Sequence, residues 1–359
     1  MALTKDAALD ALRGVQDPEL FKDIVTLGMV KRVEVDGGAV DVTVELTTPA
    51  CPMKDKIEAD VRAALQGAGA TDVRVELTAD TRGATAKPSE NNPLPQVKNI
   101  IAVGAGKGGV GKSTVSVNLA VGLQRTGASV GLMDGDIYGP SMPTMLGIKG
   151  AVPKVKDGNK ILPIRVHGIH AITIGSLVEQ DKPLIWRGPM AHGAFKQLAL
   201  DNTDWPELDY LIVDLPPGTG DVPLTLCQLL PLTGAIVVAT PQQVAVDDAV
   251  RAVKMFQQLG APVLGVVENM SVLVTESGEE VDVFGRGGAE RMAKELQLDF
   301  LGDLPMFPEI RVNTDRGKPH ANYENNPRLR EALEKLVGEV AAAVSRRVVN
   351  AKDVELEIE

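Results

Sequence analysis

The stretch Gly106-Lys107-Gly108-Gly109-Val110-Gly111-Lys112-Ser113-Thr114 decides the fold. Before it runs Asn99-Ile100-Ile101-Ala102-Val103-Gly104, an apolar segment that reads as a buried parallel strand. After it comes Val115-Ser116-Val117-Asn118-Leu119-Ala120-Val121-Gly122-Leu123, which reads as a helix. Strand, glycine-rich loop and helix in that order make a P-loop. The glycines let backbone N–H groups turn inward around phosphate oxygens. The helix N-terminus adds partial positive charge, and Lys112 reaches the β- and γ-phosphates. Ser113 is placed to hold Mg²⁺ through its hydroxyl. The expected ligand is Mg-ATP, cradled by Gly106 through Thr114.

Outward from this loop, short apolar strands alternate with helical segments from Lys98 onward. That alternation predicts an α/β fold with a doubly wound, mostly parallel sheet. Strands are expected at 99–104, 129–133, 171–174, 210–213, 235–240 and 262–267. A C-terminal helix is expected over 327–348, and the acidic tail from Asp353 to Glu359 reads as frayed. Residues 1–80 read as a separate small α/β domain. It has a first helix at 7–12, a hairpin turned by Asp36-Gly37-Gly38, a helix over 53–66 and a last strand at 73–77. Residues 81–97, with Pro88, Pro93 and Pro95 and no apolar period, read as a linker. The organisation is thus 1–80, linker 81–97, an ATPase domain over 98–350 and a tail over 351–359.

Several side chains beyond the loop carry candidate chemistry. Lys107 is a second lysine within the P-loop, and its charge can reach a nucleotide held by a facing subunit, as an arginine finger does. Leu211-Ile212-Val213-Asp214 is an apolar strand ending in a carboxylate, the expected Mg²⁺-holding partner of a P-loop. Its continuation, Leu215-Pro216-Pro217-Gly218-Thr219-Gly220-Asp221, suits a switch loop. Asp134-Gly135-Asp136 follows another strand, and Asp136 is read as catalytic, with a helix cap as the alternative. Asn269, after the strand at 262–267, is suited to read a purine edge with its amide. Cys51 precedes a helix, where a thiol has a lowered pKa and is available to a metal, the alternative being a buried small residue. Cys227 lies on an apolar helix face and reads as core. The four histidines, His167, His170, His192 and His320, lack the spacing of a zinc site.

Bulk properties narrow the classes. The chain has 359 residues, 44% hydrophobic and 24% charged, which suits two or three soluble domains. A formal net charge of −11 argues against a nucleic-acid partner. No apolar run approaches the ~18 residues of a membrane span, and the N-terminus lacks the apolar core of a signal peptide. Two cysteines build no disulfide framework, and a cytoplasmic location is expected.

Taken together, Gly106 through Thr114 with Lys107, Asp134-Gly135-Asp136-Ile137-Tyr138-Gly139-Pro140-Ser141, Trp186-Arg187-Gly188-Pro189-Met190, Asp214 through Asp221 and Glu268-Asn269-Met270-Ser271 resemble the Mrp/ApbC-type iron–sulfur cluster carrier ATPases of the MinD/ParA group. Asp17-Pro18-Glu19-Leu20, the segment from Asp23 to Val30 and that from Thr47 to Met53 look like the SufT-like assembly domain often fused to them. The resemblance covers nearly the whole chain. It implies an ATP-hydrolysing homodimer that takes iron–sulfur clusters from scaffold proteins and passes them to apoproteins. Lys107 would act across the dimer, and Asp136 would match the second acid of the switch I motif. One departure stands out: the family's Cys-x-x-Cys after Glu-Asn-Met-Ser is missing, since residues 271–285 contain no cysteine. Cluster binding then depends on Cys51 or on a partner's thiols. Two further readings stay open. One is a MinD- or ParA-like positioning ATPase, disfavoured by the acidic tail and net charge. The other is a nucleotide-gated scaffold without cluster chemistry.

Overall fold

Hydrophobic alternation in the first eighty residues builds a three-stranded sheet. Strands β1 (Val30–Asp36) and β2 (Ala39–Leu46) pair antiparallel, and β3 (Asp72–Ala79) joins β2 in parallel. The turn between β1 and β2 places Gly37 at φ +60°, which the Asp-Gly-Gly sequence supplies. Helix α1 (Lys5–Leu12) is capped by Thr4, whose Oγ1 accepts from Ala7 N at 3.2 Å. Helix α2 (Lys54–Gly67) buries Ile57, Val61 and Leu65, the i, i+4, i+8 stripe of its sequence. These residues close a core with Leu12, Ile24, Met29, Val40, Val42 and Val44.

The computed structural model describes residues 3–83, 92–136, 139–156, 160–173, 193, 196, 202–275 and 277–356. It divides into two compact units, Met1–Arg82 with Ser345–Glu359, and Gly83–Val344. The long C-terminal helix, Pro327–Leu356, thus contributes its last part to the first unit, where Thr47 Oγ1 donates to Ser345 Oγ at 3.2 Å in a buried pair. Residues 345–350, read from sequence with the ATPase domain, group with the N-terminal sheet instead. The tail also differs from expectation, because the helix continues through Asp353 to Leu356.

The second unit is built on a nine-stranded sheet with a mostly parallel centre. Its strands are β4 (Val97–Gly104), β5 (Val130–Asp134), β8 (Ile164–Val166), β9 (Ile169–Thr173), β10 (Leu208–Asp214), β11 (Gly234–Ala239), β12 (Val263–Val274), β13 (Glu280–Val281) and β14 (Phe300–Met306). The order runs β13-β12-β11-β4-β10-β5-β9-β8, with β14 also paired to β12; β6 (Val155–Lys156) and β7 (Lys160–Ile161) form a separate hairpin. The strands expected from sequence correspond to β4, β5, β9, β10, β11 and β12. Residue 174 lies outside the described residues. β12 runs on to Val274 rather than stopping at 267. Leu94 and Val97, read as linker, are buried in the core of this unit, because an apolar residue beside a sheet is drawn in whatever its neighbours are.

Helix α3 (Lys112–Arg125) packs against β4, β5 and β10. The short helix α4 (Met142–Met145) follows β5, and α5 (Asp221–Leu229) follows β10. Helices α6 (Gln243–Gln258) and α7 (Gly288–Glu295) lie on β11 and β12, with Phe256, Val253, Met292 and Ala293 in the core. Helix α8 (Pro308–Asp315) and a 3-10 turn (Pro319–Tyr323) precede the C-terminal helix, α9 (Pro327–Leu356).

Candidate functional site

The strand order sets the site. β4 is followed by α3 and then β5, but β10 lies between β4 and β5. Three strand ends therefore lie side by side: the P-loop after Gly104, Asp214 at the end of β10, and Asp134 at the end of β5, with Asp214 and Asp134 in register. An open parallel sheet places ligands at such a point, outside the carboxyl ends of its strands.

The loop is held open by its neighbours. A side chain at Gly106 would collide with the backbone of Asp248 on α6. Gly111 has φ +80°, and a Cβ there would meet the Asn269 amide. Asn269 Nδ2 donates to Val110 O at 2.8 Å, so its amide braces the loop. One N–H of the amide is thus engaged with the loop backbone, which leaves its second N–H and its oxygen for the purine edge expected from sequence. Lys112 opens α3, so the helix N-terminus faces the space the loop encloses. Thr114 lies in the first turn, and its carbonyl accepts from Asn118 Nδ2 at 2.8 Å. Gly108 and Gly109 are exposed at the tip of the loop, while Val110 is buried.

Behind the loop is a buried charged cluster. Lys112 Nζ lies 2.8 Å from Asp214 Oδ2, with Lys112 6% and Asp214 0% exposed. Ser113 Oγ donates to Asp214 Oδ2 at 2.6 Å. Ser116 Oγ donates to Asp214 Oδ1 at 2.7 Å. The carboxylate is compensated by one cation and a hydroxyl on each oxygen, the condition under which burying a charge is tolerated. After β10, Leu215 N donates to Val103 O at 3.0 Å and Gly218 N to Ala105 O at 2.9 Å, fastening the loop after β10 to the end of β4 and the residue that follows it.

Asp134 stands beside this cluster. Its Oδ2 accepts from Thr173 Oγ1 at 2.9 Å, and its Oδ1 from Asp136 N at 3.1 Å. Burial pushes its carboxyl up to about 7, and the charge of Asp214 adds to the rise. Asp136 has its Oδ1 accepting from Gly139 N at 3.2 Å, closing its own loop. Lys107 is half-buried in the loop, and among the described residues nothing pairs with its ammonium. Residues 137–138, 186–190 and 192 lie outside the described residues.

Sequence reasoning missed Ser116, Thr173 and the role of Glu268. Ser116 had a signal, being three residues after Ser113 and so on the same helix face. Glu268 accepts from Gly287 N and Ala289 N, each at 2.8 Å, and caps α7. Met270 takes φ +59° where β12 shifts register against β14, a bulge rather than a strand end.

Cys51 belongs to the first unit and is 5% exposed within its core. Burial pushes its thiol up to about 12, and the charge of Glu19 adds to this. The sequence expectation of a lowered pKa is overturned: two residues, Pro52 and Met53, intervene before α2 begins, and desolvation outweighs the helix end. Cys227, on α5, is buried in the core and also pushed up to about 12. Among the described residues, no group of three or more His, Cys, Asp or Glu is placed to hold a metal ion. The structure does bring His167 and His320 together, Nδ1 to Nδ1 at 3.0 Å, while His167 Nε2 meets Leu146 O at 3.0 Å.

Comparison with known proteins follows the same division. A family model described as NUBPL iron-transfer P-loop NTPase matches residues 96–341, and one described as iron-sulfur cluster assembly protein matches residues 5–77. The iron-sulfur cluster carrier protein of Synechocystis sp. is 47% identical over 349 residues, covering 96% of this chain and 98% of the relative. That of Deinococcus radiodurans is 48% identical over 347 residues, covering 96% and 97%. Among solved structures, a nucleotide-binding protein in complex with ADP from Archaeoglobus fulgidus superposes with a TM-score of 0.58 at 34% identity, covering 67% of this chain and 93% of that one. MinD from Pyrococcus horikoshii, complexed with Mg-ADP, shares the fold at a TM-score of 0.50, 23% identity and coverage of 67% and 95%.

Proposed function

The chain belongs to the NUBPL iron-transfer P-loop NTPases, and from that membership we propose that it is a Mg²⁺-dependent ATPase that carries iron–sulfur clusters to apoproteins. The observation that carries the nucleotide half is the buried Lys112–Asp214 pair with Ser113 on the same carboxylate oxygen. Without nucleotide the ammonium of Lys112 rests on Asp214. The β- and γ-phosphates of ATP compete for that ammonium with their larger negative charge. As Lys112 turns to them, Asp214 keeps its two hydroxyl donors but loses its cation. Ser113 Oγ and Asp214 Oδ2, two hard oxygens 2.6 Å apart, fit the ligand set of Mg²⁺, directly or through water. When bound there, the ion supplies positive charge to the terminal phosphates. The residues of the chain do the rest: loop N–H groups orient the phosphates, and Lys112 offsets developing charge. Lys107, which has no partner among the described residues, acts across a homodimer, and Asp136 orders the attacking water. The protein works in the cytoplasm, without membrane or nucleic acid; among the described residues no helix is long and apolar enough to cross a membrane.

The cluster is cargo. The chain has two cysteines, and a four-iron cluster is held by four thiolates, so carriage requires thiols from a second molecule. Cys51, in the unit that matches the assembly-protein model, is the ligand we assign. Metal coordination deprotonates a thiol outright, which overcomes the raised pKa once the pocket opens. The test is anaerobic reconstitution with iron and sulfide, reading absorbance, bound iron and bound sulfide. Wild type is expected to hold a labile cluster and Cys51→Ala none, with ATP hydrolysis unchanged. A stoichiometric cluster that survives Cys51→Ala would remove Cys51 from the mechanism. No cluster in wild type under any condition would favour the nucleotide-gated scaffold.

A further inference from the structure

Ser113 is the hydroxyl a P-loop motif supplies. Ser116, one turn further along α3, is not part of that motif, and it is fully buried. Its Oγ lies 2.7 Å from Asp214 Oδ1 and 3.1 Å from Lys112 O. One hydroxyl proton cannot serve both acceptors fully. The shorter distance favours the carboxylate. Ser113 takes the other oxygen, Oδ2, at 2.6 Å. The two oxygens of Asp214 are therefore gripped by two hydroxyls of one helix face. A carboxylate held at both oxygens cannot rotate about its Cβ–Cγ bond. Its Oδ2 stays turned toward Ser113 and Lys112, the side facing the P-loop.

We propose that Ser116 is a positioning residue for the metal-holding carboxylate, setting how tightly the site takes Mg²⁺ in the nucleotide complex. This rests on the reading of Ser113 and Asp214 as the Mg²⁺ ligands. Removing the Ser116 hydroxyl leaves Oδ1 buried without its donor and frees the carboxylate to turn. Partners of this outer kind contribute about tenfold to a hundredfold to metal affinity. Ser116 touches neither phosphate nor metal, so nucleotide binding without Mg²⁺ should not depend on it.

The experiment is an equilibrium titration of the full chain with a fluorescent ATP analogue, in EDTA and across a range of MgCl₂ concentrations. For Ser116→Ala the affinity in EDTA should match wild type, while the Mg²⁺ concentration giving half the Mg²⁺-dependent gain should rise at least about tenfold. Ser116→Thr, which restores a hydroxyl, should return the midpoint toward wild type. Thermal unfolding checks that each variant is folded. If the alanine variant does not fold, Ser116→Cys, a weak donor of similar volume, is compared with Ser116→Thr and should show the raised midpoint. An unchanged midpoint in the folded alanine or cysteine variant would overturn the proposal. An equal loss of affinity with and without Mg²⁺ would also overturn it, since that marks a general disturbance of α3. Wild type showing no Mg²⁺-dependent gain is a distinct result: it would defeat the assignment of Ser113 and Asp214 as ligands, and this inference with it.

Discussion

At the end of β10, Asp214 is fully buried yet holds an ammonium at 2.8 Å and hydroxyls at 2.6 and 2.7 Å. Just before α2, Cys51 is buried almost as deeply, among apolar side chains and near the carboxylate of Glu19, and its thiol is pushed up to about 12. Each region takes an ionisable group out of water. In the first, opposite charge and donors are built around the group. In the second, desolvation and like charge both keep it neutral. The nucleotide site is thus assembled in the folded chain, whereas the thiol must be uncovered before it can act. Burial alone does not tell the two apart; the sign of the neighbours does.

The most direct way to break the comparison is to remove the cation from the first region. Lys112→Ala leaves Asp214 buried with hydroxyls alone. ATP hydrolysis is expected to fall about a thousandfold or more, since a fixed cation on the terminal phosphates is lost. The ligand-free protein is also expected to lose about 3 kcal/mol or more, the usual result of orphaning one partner of a buried pair. Hydrolysis assays and urea unfolding read the two effects. A variant that hydrolyses Mg-ATP at the wild-type rate would show that the pair is structural only.

The second region is sharpened by reactivity. A thiol pushed up to about 12 exposes little thiolate at pH 8, so Cys51 should alkylate about a thousandfold more slowly than a small free thiol. Iodoacetamide labelling followed by peptide mass spectrometry measures it, with urea-unfolded protein as the reference. Labelling of native protein at the unfolded rate would mean that the Cys51 pocket stands open in solution.

Lys107, without a partner among the described residues, tests whether such a cation behaves unlike the paired one beside it. Lys107→Ala should keep ATP affinity and lose about a hundredfold in hydrolysis. Mixing it with Asp136→Ala should restore part of the rate in mixed dimers. Specific activity that stays constant on dilution to fully monomeric protein would exclude action in trans.

The parts of this contrast were unequally legible in the sequence. The P-loop, Lys112, Ser113 and Asp214 could be read because each occupies a fixed place in a strand–loop–helix or at a strand end, where spacing dictates position. Asp134 is visible in the sequence beside Asp136, but that it lies opposite Asp214 follows only from the register of β5 against β10. The bond from the Asn269 amide to Val110 O is a tertiary contact between residues far apart in sequence, and no local pattern announces it. The raised thiol of Cys51 is not legible locally: the helix-end rule uses near neighbours, while the core that buries Cys51 also gathers Leu12 and Met29, distant in sequence. The bulge at Met270 left no trace in the hydrophobic pattern.

The smallest expected effect concerns Asp134, where the two principles meet: a buried acid beside an opposite-charge pair, yet raised to about 7. The folded-state value lies above the unfolded one, so the unfolded chain gives up the proton first as pH rises. The stability this group contributes is complete below about pH 4 and is lost progressively until pH passes about 7. Ligand-free wild type should therefore unfold at a lower temperature at pH 8 than at pH 5.5. In Asp134→Asn that part of the slope should vanish, because the amide keeps an oxygen for Asp136 N and has no proton to lose. At pH 8 the variant should be the more stable and should unfold at the higher temperature. Other titrating groups contribute equally to both proteins, so the difference between the two profiles isolates this one. Parallel profiles from pH 5 to 8 would mean that Asp134 is ionised throughout, its charge accommodated by Thr173, the Asp136 N–H and the nearby Lys112 as fully as that of Asp214 is by its own partners.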